Sequence, residues 1–191
     1  MNWKERLKID LEPVLASPDP RGKLSAYHDM PYAIFHYPPE VEFDLRAELD
    51  LLTTRLENAG KRVTRISLAA CLFEAIEAEG YSGQDMLDNE PVTGVQTMVD
   101  TIHNILGSAH PLVELVAARL PPEQNPIKDV ILLNRTGALF PVYRSHALLE
   151  QMKGRLRVPA VLFYPGELDG PTGLSFMGAL DSDPNYRPRI F

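Results

Sequence analysis

Apolar and polar residues alternate along this chain with periods that change from segment to segment. Trp3, Leu7, Leu11, Val14 and Leu15 recur at helical spacing among charged neighbours, which predicts a short amphipathic helix at the start. SPDPRGKLSAYHDMP (17–31) is punctuated by three prolines and a glycine and reads as an extended connector. YAIFHY (32–37) is a short apolar and aromatic run closed by Pro38 and Pro39, hence a strand with a hard stop. Leu45, Leu49, Leu52 and Leu56 then line one stripe of a helix, with Gly60 where a C-terminal cap belongs. RVTRISL (62–68) is a second strand, and Ser67 is placed to cap a helix running through Leu72, Phe73 and Ile76 to Gly80.

The middle of the chain is helical. Pro91 suits a first helical position, followed by one face of Val92, Val95, Met98, Val99, Ile102 and Leu106. Pro111 opens a shorter helix through Leu112, Leu115 and Val116, and 120–128 is a loop. DVILL (129–133) and PAVLFY (159–164) are almost wholly apolar, as strands covered on both faces are. Between them NRTGALFP turns the chain, with Gly137 as the flexible backbone point and Pro141 as the start of a helix ending at Gly154. Pro165-Gly166 is expected to stop the second of these strands. GLSFMGAL (173–180) and YRPRIF (186–191) read as strands joined by a DSDPN turn, an antiparallel C-terminal edge. Strand, helix, strand, helix predicts an α/β fold. The expectation is one domain over residues 1–191, with a mostly parallel Rossmann-like sheet flanked by helices. Residues 1–31 would pack on that domain or on a partner.

Composition narrows the function classes. The chain has 191 residues, of which 45% are hydrophobic and 24% charged, so it can bury a core unaided. Its one cysteine, Cys71, excludes an intramolecular disulfide and sits among apolar residues as core filler. Proline is 17 of 191, roughly 9% against the usual ~5%. The net charge is −7; residues 1–100 hold 10 Lys or Arg against 18 Asp or Glu, and residues 101–191 hold 9 against 8. That acidity weighs against general nucleic-acid affinity. No window approaches 18 apolar residues and the first residues are charged, so a cytoplasmic protein without membrane span or signal peptide is expected.

No complete catalytic set is present. There is no G-x-x-x-x-G-K-[ST] and no G-x-G-x-x-G, and the turn after the first strand, Pro38-Pro39-Glu40, lacks N–H donors and positive charge. One Cys and five scattered His do not make a zinc site. Glu167, Asp169, Asp181 and Asp183 fit turn residues better than a magnesium site. The turn Asn134-Arg135-Thr136-Gly137 with Arg144, Ser145 and His146 follows a strand, where α/β sheets place ligands. Arg135 or Arg144 could receive a phosphate or carboxylate there, or tie the turn to backbone carbonyls. Ser145 and His146 are neighbours, so on a helix they diverge and make a poor nucleophile–base pair. Lys153, Arg155, Arg157, Arg187 and Arg189 form two short basic groups.

Three segments together carry a resemblance: PYAIFHYPPEVEFDLRAELDLLTTRLENAGKRVTRISL, DVILLNRTGALFPVYRSHALLEQMKG and VPAVLFYPGELDGPTGLSFMGALDSDPNYRPRIF. The telling pieces are Gly137 with Phe140-Pro141, then Arg144-Ser145-His146, then Phe163-Tyr164-Pro165-Gly166 with Asp169-Gly170, and finally Tyr186-Arg187. With them the chain resembles the BrxB family, the small accessory component of BREX bacteriophage-exclusion systems. The resemblance implies a cytoplasmic antiviral role without established enzymatic activity or cofactor. It implies assembly above all with an alkaline-phosphatase-like PglZ protein, with the large ATPase and the methyltransferase as further candidate partners. Three functional readings follow. The leading one is a non-catalytic adaptor binding the PglZ-like component. The second is a degenerate nucleotide- or phosphate-binding domain using Arg135, Arg144 and His146. The third is direct DNA contact through the two basic groups.

Overall fold

The apolar runs become the strands of one sheet. They are β1 (Tyr32–Tyr37), β2 (Arg62–Ser67), β3 (Asp129–Asn134), β4 (Ala160–Asp169), β5 (Gly173–Phe176) and β6 (Arg189–Ile190). The computed structural model describes residues 1–24, 31–170, 173–179 and 188–191. The strand order is β2-β3-β4-β1-β6, with every neighbouring pair parallel, and β5 pairs antiparallel with β4 beyond the main sheet. The helices are α1 (Trp3–Arg6), α2 (Glu12–Ala16), α3 (Arg21–Leu24), α4 (Glu42–Asn58), α5 (Leu68–Ala78), α6 (Gly83–Thr93), α7 (Val95–Asn104), α8 (Leu112–Ala117) and α9 (Ser145–Gln151). A π-helical stretch, Leu7–Leu11, joins α1 to α2. The α/β class, the mostly parallel sheet and the flanking helices are as the sequence predicts.

Strand periodicity divides the core in two. Ala33, Phe35, Tyr37, Val130, Leu132, Val161 and Phe163 face one way, onto α4 and the N-terminal helices. Ile34, Ile131, Leu133, Ala160, Leu162 and Tyr164 face the other way, onto α5, α8 and α9. Cys71 is fully buried in this second layer, where burial pushes its thiol pKa up. The N-terminal helix packs on its own domain. Leu7, Leu11 and Leu15 are completely buried against α4, each contributing roughly 1.5–3 kcal/mol. Arg55 of α4 reaches Glu12 at 2.8 Å and Glu48 at 3.1 Å. Buried Lys61 donates to the Ser17 carbonyl at 2.6 Å and the Ile127 carbonyl at 2.7 Å, tying the N-terminal layer to the sheet.

Several local expectations are corrected. Part of the 17–31 connector is helical, as α3. Pro91 lies inside α6, near its end, because a Ser82–Asp85 capping box starts that helix earlier. Val92 and Val95 do not join the inner face of that region but are exposed, while Ile105 and Leu106 are buried. Gly137 does not supply the unusual backbone angle; Arg135 does, at φ 57°. Gly137 sits in a 3-10 turn where a Cβ would stand 3.4 Å from Pro165 Cγ. Pro141 follows a cis peptide bond and does not begin a helix. Val142 and Tyr143 first enter the core, and α9 starts at Ser145. Pro165-Gly166 does not end β4: the strand leaves the parallel sheet there and continues as one arm of a hairpin with β5. β6 is not antiparallel to β5; it pairs parallel with β1 at the sheet edge.

Candidate functional site

The strand order places the chain's switch point between β1 and β4. The chain leaves β1 for α4 on one face of the sheet, whereas β3, next to β4, leads to α9 on the other. A crevice therefore opens outside the carboxyl ends of these strands, where open α/β sheets bind ligands. A cavity of about 310 Å³ occupies it, with a rim from three connections: Pro39, Glu42 and Arg46 after β1, Arg135, Gly137 and Ala138 after β3, and Pro165 with Met177 from the hairpin.

Its polar groups are arranged in a definite way. Arg46 donates Nε to Glu42 Oε1 at 2.8 Å, and the Tyr37 hydroxyl donates to Glu42 Oε2. Burial and the Glu42 carboxylate push the Tyr37 pKa up, so the phenol stays a donor. The Arg46 guanidinium also stacks 4.8 Å from the centroid of the exposed Phe43 ring. Both Glu42 oxygens are thus occupied within their own helix and strand. Arg135, in left-handed backbone, is half-buried, and its Nε is buried without a hydrogen-bond partner among the described residues. The other buried, partnerless side-chain atoms described are Thr136 Oγ1 and Ser145 Oγ, both in the same stretch.

The other expected residues distribute around this cavity. Arg144 and His146 do not join Arg135. They line a second concavity of about 280 Å³ with His103, Pro141, Val142, Tyr143 and Ala147. There His103 Nδ1 donates to the Val142 carbonyl at 3.0 Å. Tyr164 is buried with its ring 5.1 Å from that of Phe176. Gly166 is required by crowding, since a Cβ would meet the Ser175 carbonyl oxygen at 2.2 Å. Its own carbonyl accepts from His36 Nδ1 at 3.4 Å, while Arg6 donates to the other ring nitrogen. Asp169 is the last residue of β4 and Gly170 follows it, both exposed. Tyr186 and Arg187, the DSDPN turn, and Asp181 and Asp183 lie outside the described residues. Of the basic groups, Arg155 pairs with Glu114 at 2.8 Å, and Arg189 donates to the Lys23 carbonyl and stacks 4.3 Å from the Phe191 ring. Glu42, Arg46, Tyr37 and Met177 were not singled out in the sequence. Only strand order and the hairpin bring Glu42, Arg46 and Met177 to the cavity that Arg135 lines, with Tyr37 behind Glu42.

A second surface is distinctive by its charge. Residues 66–118 contain eight Asp or Glu and no Lys or Arg. Within this stretch α6 and α7 have no fully buried residue, and they expose Leu87, Val92 and Val95 along with Asp85, Asp88 and Glu90. Among the described residues no helix is long and apolar enough to cross a membrane.

No solved structure matches this chain. The chain is 27% identical over 165 residues to "BREX protein BrxB" of Bacillus cereus (strain H3081.97), a match covering 84% of this chain and 82% of that one. The family profile described as "BREX protein BrxB" matches residues 64–190. That span takes in most of β2, then β3, β4, β5 and β6, the Arg135 turn and the acidic helices, and by it the chain belongs to the BrxB family of BREX proteins.

Proposed function

We propose that the chain is an adaptor of a BREX defence complex, acting by assembly rather than by chemistry of its own, and that it holds the PglZ-like component through the acidic face of α6 and α7. The observation that carries this reading is the α6–α7 surface. Exposed Leu87, Val92 and Val95 lie within a stretch that carries eight acids and no base. Apolar anchors within a single-sign rim are what a protein interface uses, the anchors for affinity and the charge for orientation and encounter rate. The partner surface is accordingly basic with an apolar centre.

Co-purification of the tagged chain with the PglZ-like protein of its own system tests this. A stable complex is expected, with affinity that falls as salt is raised. Reversing Asp88 and Glu90 to lysine, with the helix-capping Asp85 left in place, should abolish it while leaving Tm within a few degrees, because these two side chains are exposed and cap no helix. Failure of the two proteins to associate at any salt concentration refutes the adaptor reading. Association that survives the charge reversal moves the interface elsewhere on the chain.

A further inference from the structure

We infer that the cavity at the switch point binds a small carboxylate, with Arg135 as the group that receives it. A guanidinium is charged at every physiological pH and presents a planar fork of donors. Those donors are normally paired when they leave water, because an unpaired buried donor forfeits its hydration with no hydrogen bond in return. Arg135 departs from that rule. Its Nε is buried with no partner among the described residues, and the nearby Glu42 carboxylate is already occupied by Arg46 and Tyr37. The three charged side chains lining the cavity, Arg46, Glu42 and Arg135, therefore leave one positive charge unneutralised. A bidentate oxyanion completes this arrangement.

The surroundings select the kind of oxyanion. Phosphate sites in α/β folds use backbone N–H groups at a glycine-rich turn and the positive end of a helix. Here the turn after β1 is Pro38-Pro39, which has no N–H to offer, and the first turn of α4 carries Glu42 and Asp44. A multiply charged phosphate would meet the Glu42 carboxylate in the cavity wall, whereas one carboxylate matches the one unneutralised guanidinium. The remaining walls, Pro39, Ala138, Pro165 and Met177, are apolar. About 310 Å³ is near the lower end of the ~300–1,000 Å³ range of small-molecule sites. The ligand is thus a small carboxylic acid with a short aliphatic body, either free or as the last residue of a peptide chain. This site is separate from the acidic face of α6 and α7 and does not depend on the adaptor reading.

The test is a ¹H–¹⁵N NMR titration of the full chain with isovalerate for the free acid, N-acetyl-leucine for a chain terminus, and isovaleramide and inorganic phosphate as controls. Saturable shifts of the Gly137, Ala138 and Met177 amides are expected with one of the two carboxylates, at a Kd of about 1 mM or tighter. The better of the two identifies the source. Arg135→Gln should weaken binding at least tenfold and keep the wild-type Tm, because the side chain bonds to no described residue. Ala138→Phe should block binding while leaving Arg135 in place. Absence of saturable shifts up to ~20 mM of either carboxylate, equal response to isovaleramide or phosphate, or undiminished binding by Arg135→Gln each overturns the inference.

Discussion

Gly166→Ala tests how the hairpin is attached to the sheet. Gly166 has no positive φ, so its role is steric rather than conformational. A methyl carbon there would lie 2.2 Å from the Ser175 carbonyl oxygen and 2.7 Å from Tyr164 Cε1. Neither neighbour can retreat easily: the first is backbone of the paired strand, and the second belongs to a buried ring packed on Phe176. β5 must therefore move away, which weakens the pairings Gly166↔Phe176 and Glu167↔Ser175. Overpacking costs typically 1–3 kcal/mol, and each compromised ladder bond adds ~1 kcal/mol, so the loss should be about 3 kcal/mol. For a domain of this size that corresponds to a Tm drop of roughly 6–12 °C. Urea unfolding of wild type and variant measures it directly. Gly170→Ala is the control: its φ is +68° but an added Cβ meets no atom of the described residues within 4 Å, so only the left-handed backbone penalty of ~1–2 kcal/mol applies. A Gly166→Ala loss below ~1 kcal/mol, or one smaller than that of Gly170→Ala, would refute the steric account. Because Met177 N donates to the Pro165 carbonyl at 2.9 Å, a displaced hairpin should also weaken any binding in the cavity that Met177 lines.

His36 makes stability depend on acid. Burial, then the positive charge of Arg6, pulls its pKa below the ordinary 6.5, so the fold holds the neutral ring. Its contribution is complete above about pH 6.5 and is lost as pH falls through the depressed folded value, by at most ~1.4 kcal/mol per pH unit. Urea titrations at pH 7.5 and pH 5.5 should show this slope reduced in His36→Gln, and an unchanged slope would count against the assignment. Lys61→Met should cost about 2 kcal/mol, because the Ser17 and Ile127 carbonyls lose their donor. Limited proteolysis of the same variant should cut within the N-terminal helices sooner than in wild type, and equal protection would show that Lys61 does not hold that layer.

Period alone made much of the architecture legible. The four leucines of α4 and the unbroken apolar runs of β3 and β4 have one energetic solution, a helix on one face and strands buried on both. Ser67 capped α5 as its position implies, with its side chain accepting from the Ala70 N–H. Turn chemistry near proline was less legible. Pro165 reads as a stop because it offers no ladder donor, yet β4 passes through it by leaving the parallel sheet at that residue. Pro91 and Pro141 suit helix starts locally. A stronger cap at Ser82 overrode the first, and the need to bury Val142 and Tyr143 overrode the second.

The sequence by itself determined which residues are apolar, where the helical and strand periods change, and that Arg135 and Arg144 follow a strand in a motif-bearing turn. Only the tertiary structure decided which of those residues share a site. Strand order is set by long-range pairing, which no local period encodes, and it put β1 beside β4 and so brought Arg46 and Glu42 opposite Arg135. The same packing turned Arg144 and His146 toward His103 instead. It also left the Arg135 Nε buried without a hydrogen-bond partner among the described residues, while the Glu42 carboxylate lining the same cavity was already satisfied by residues of β1 and α4.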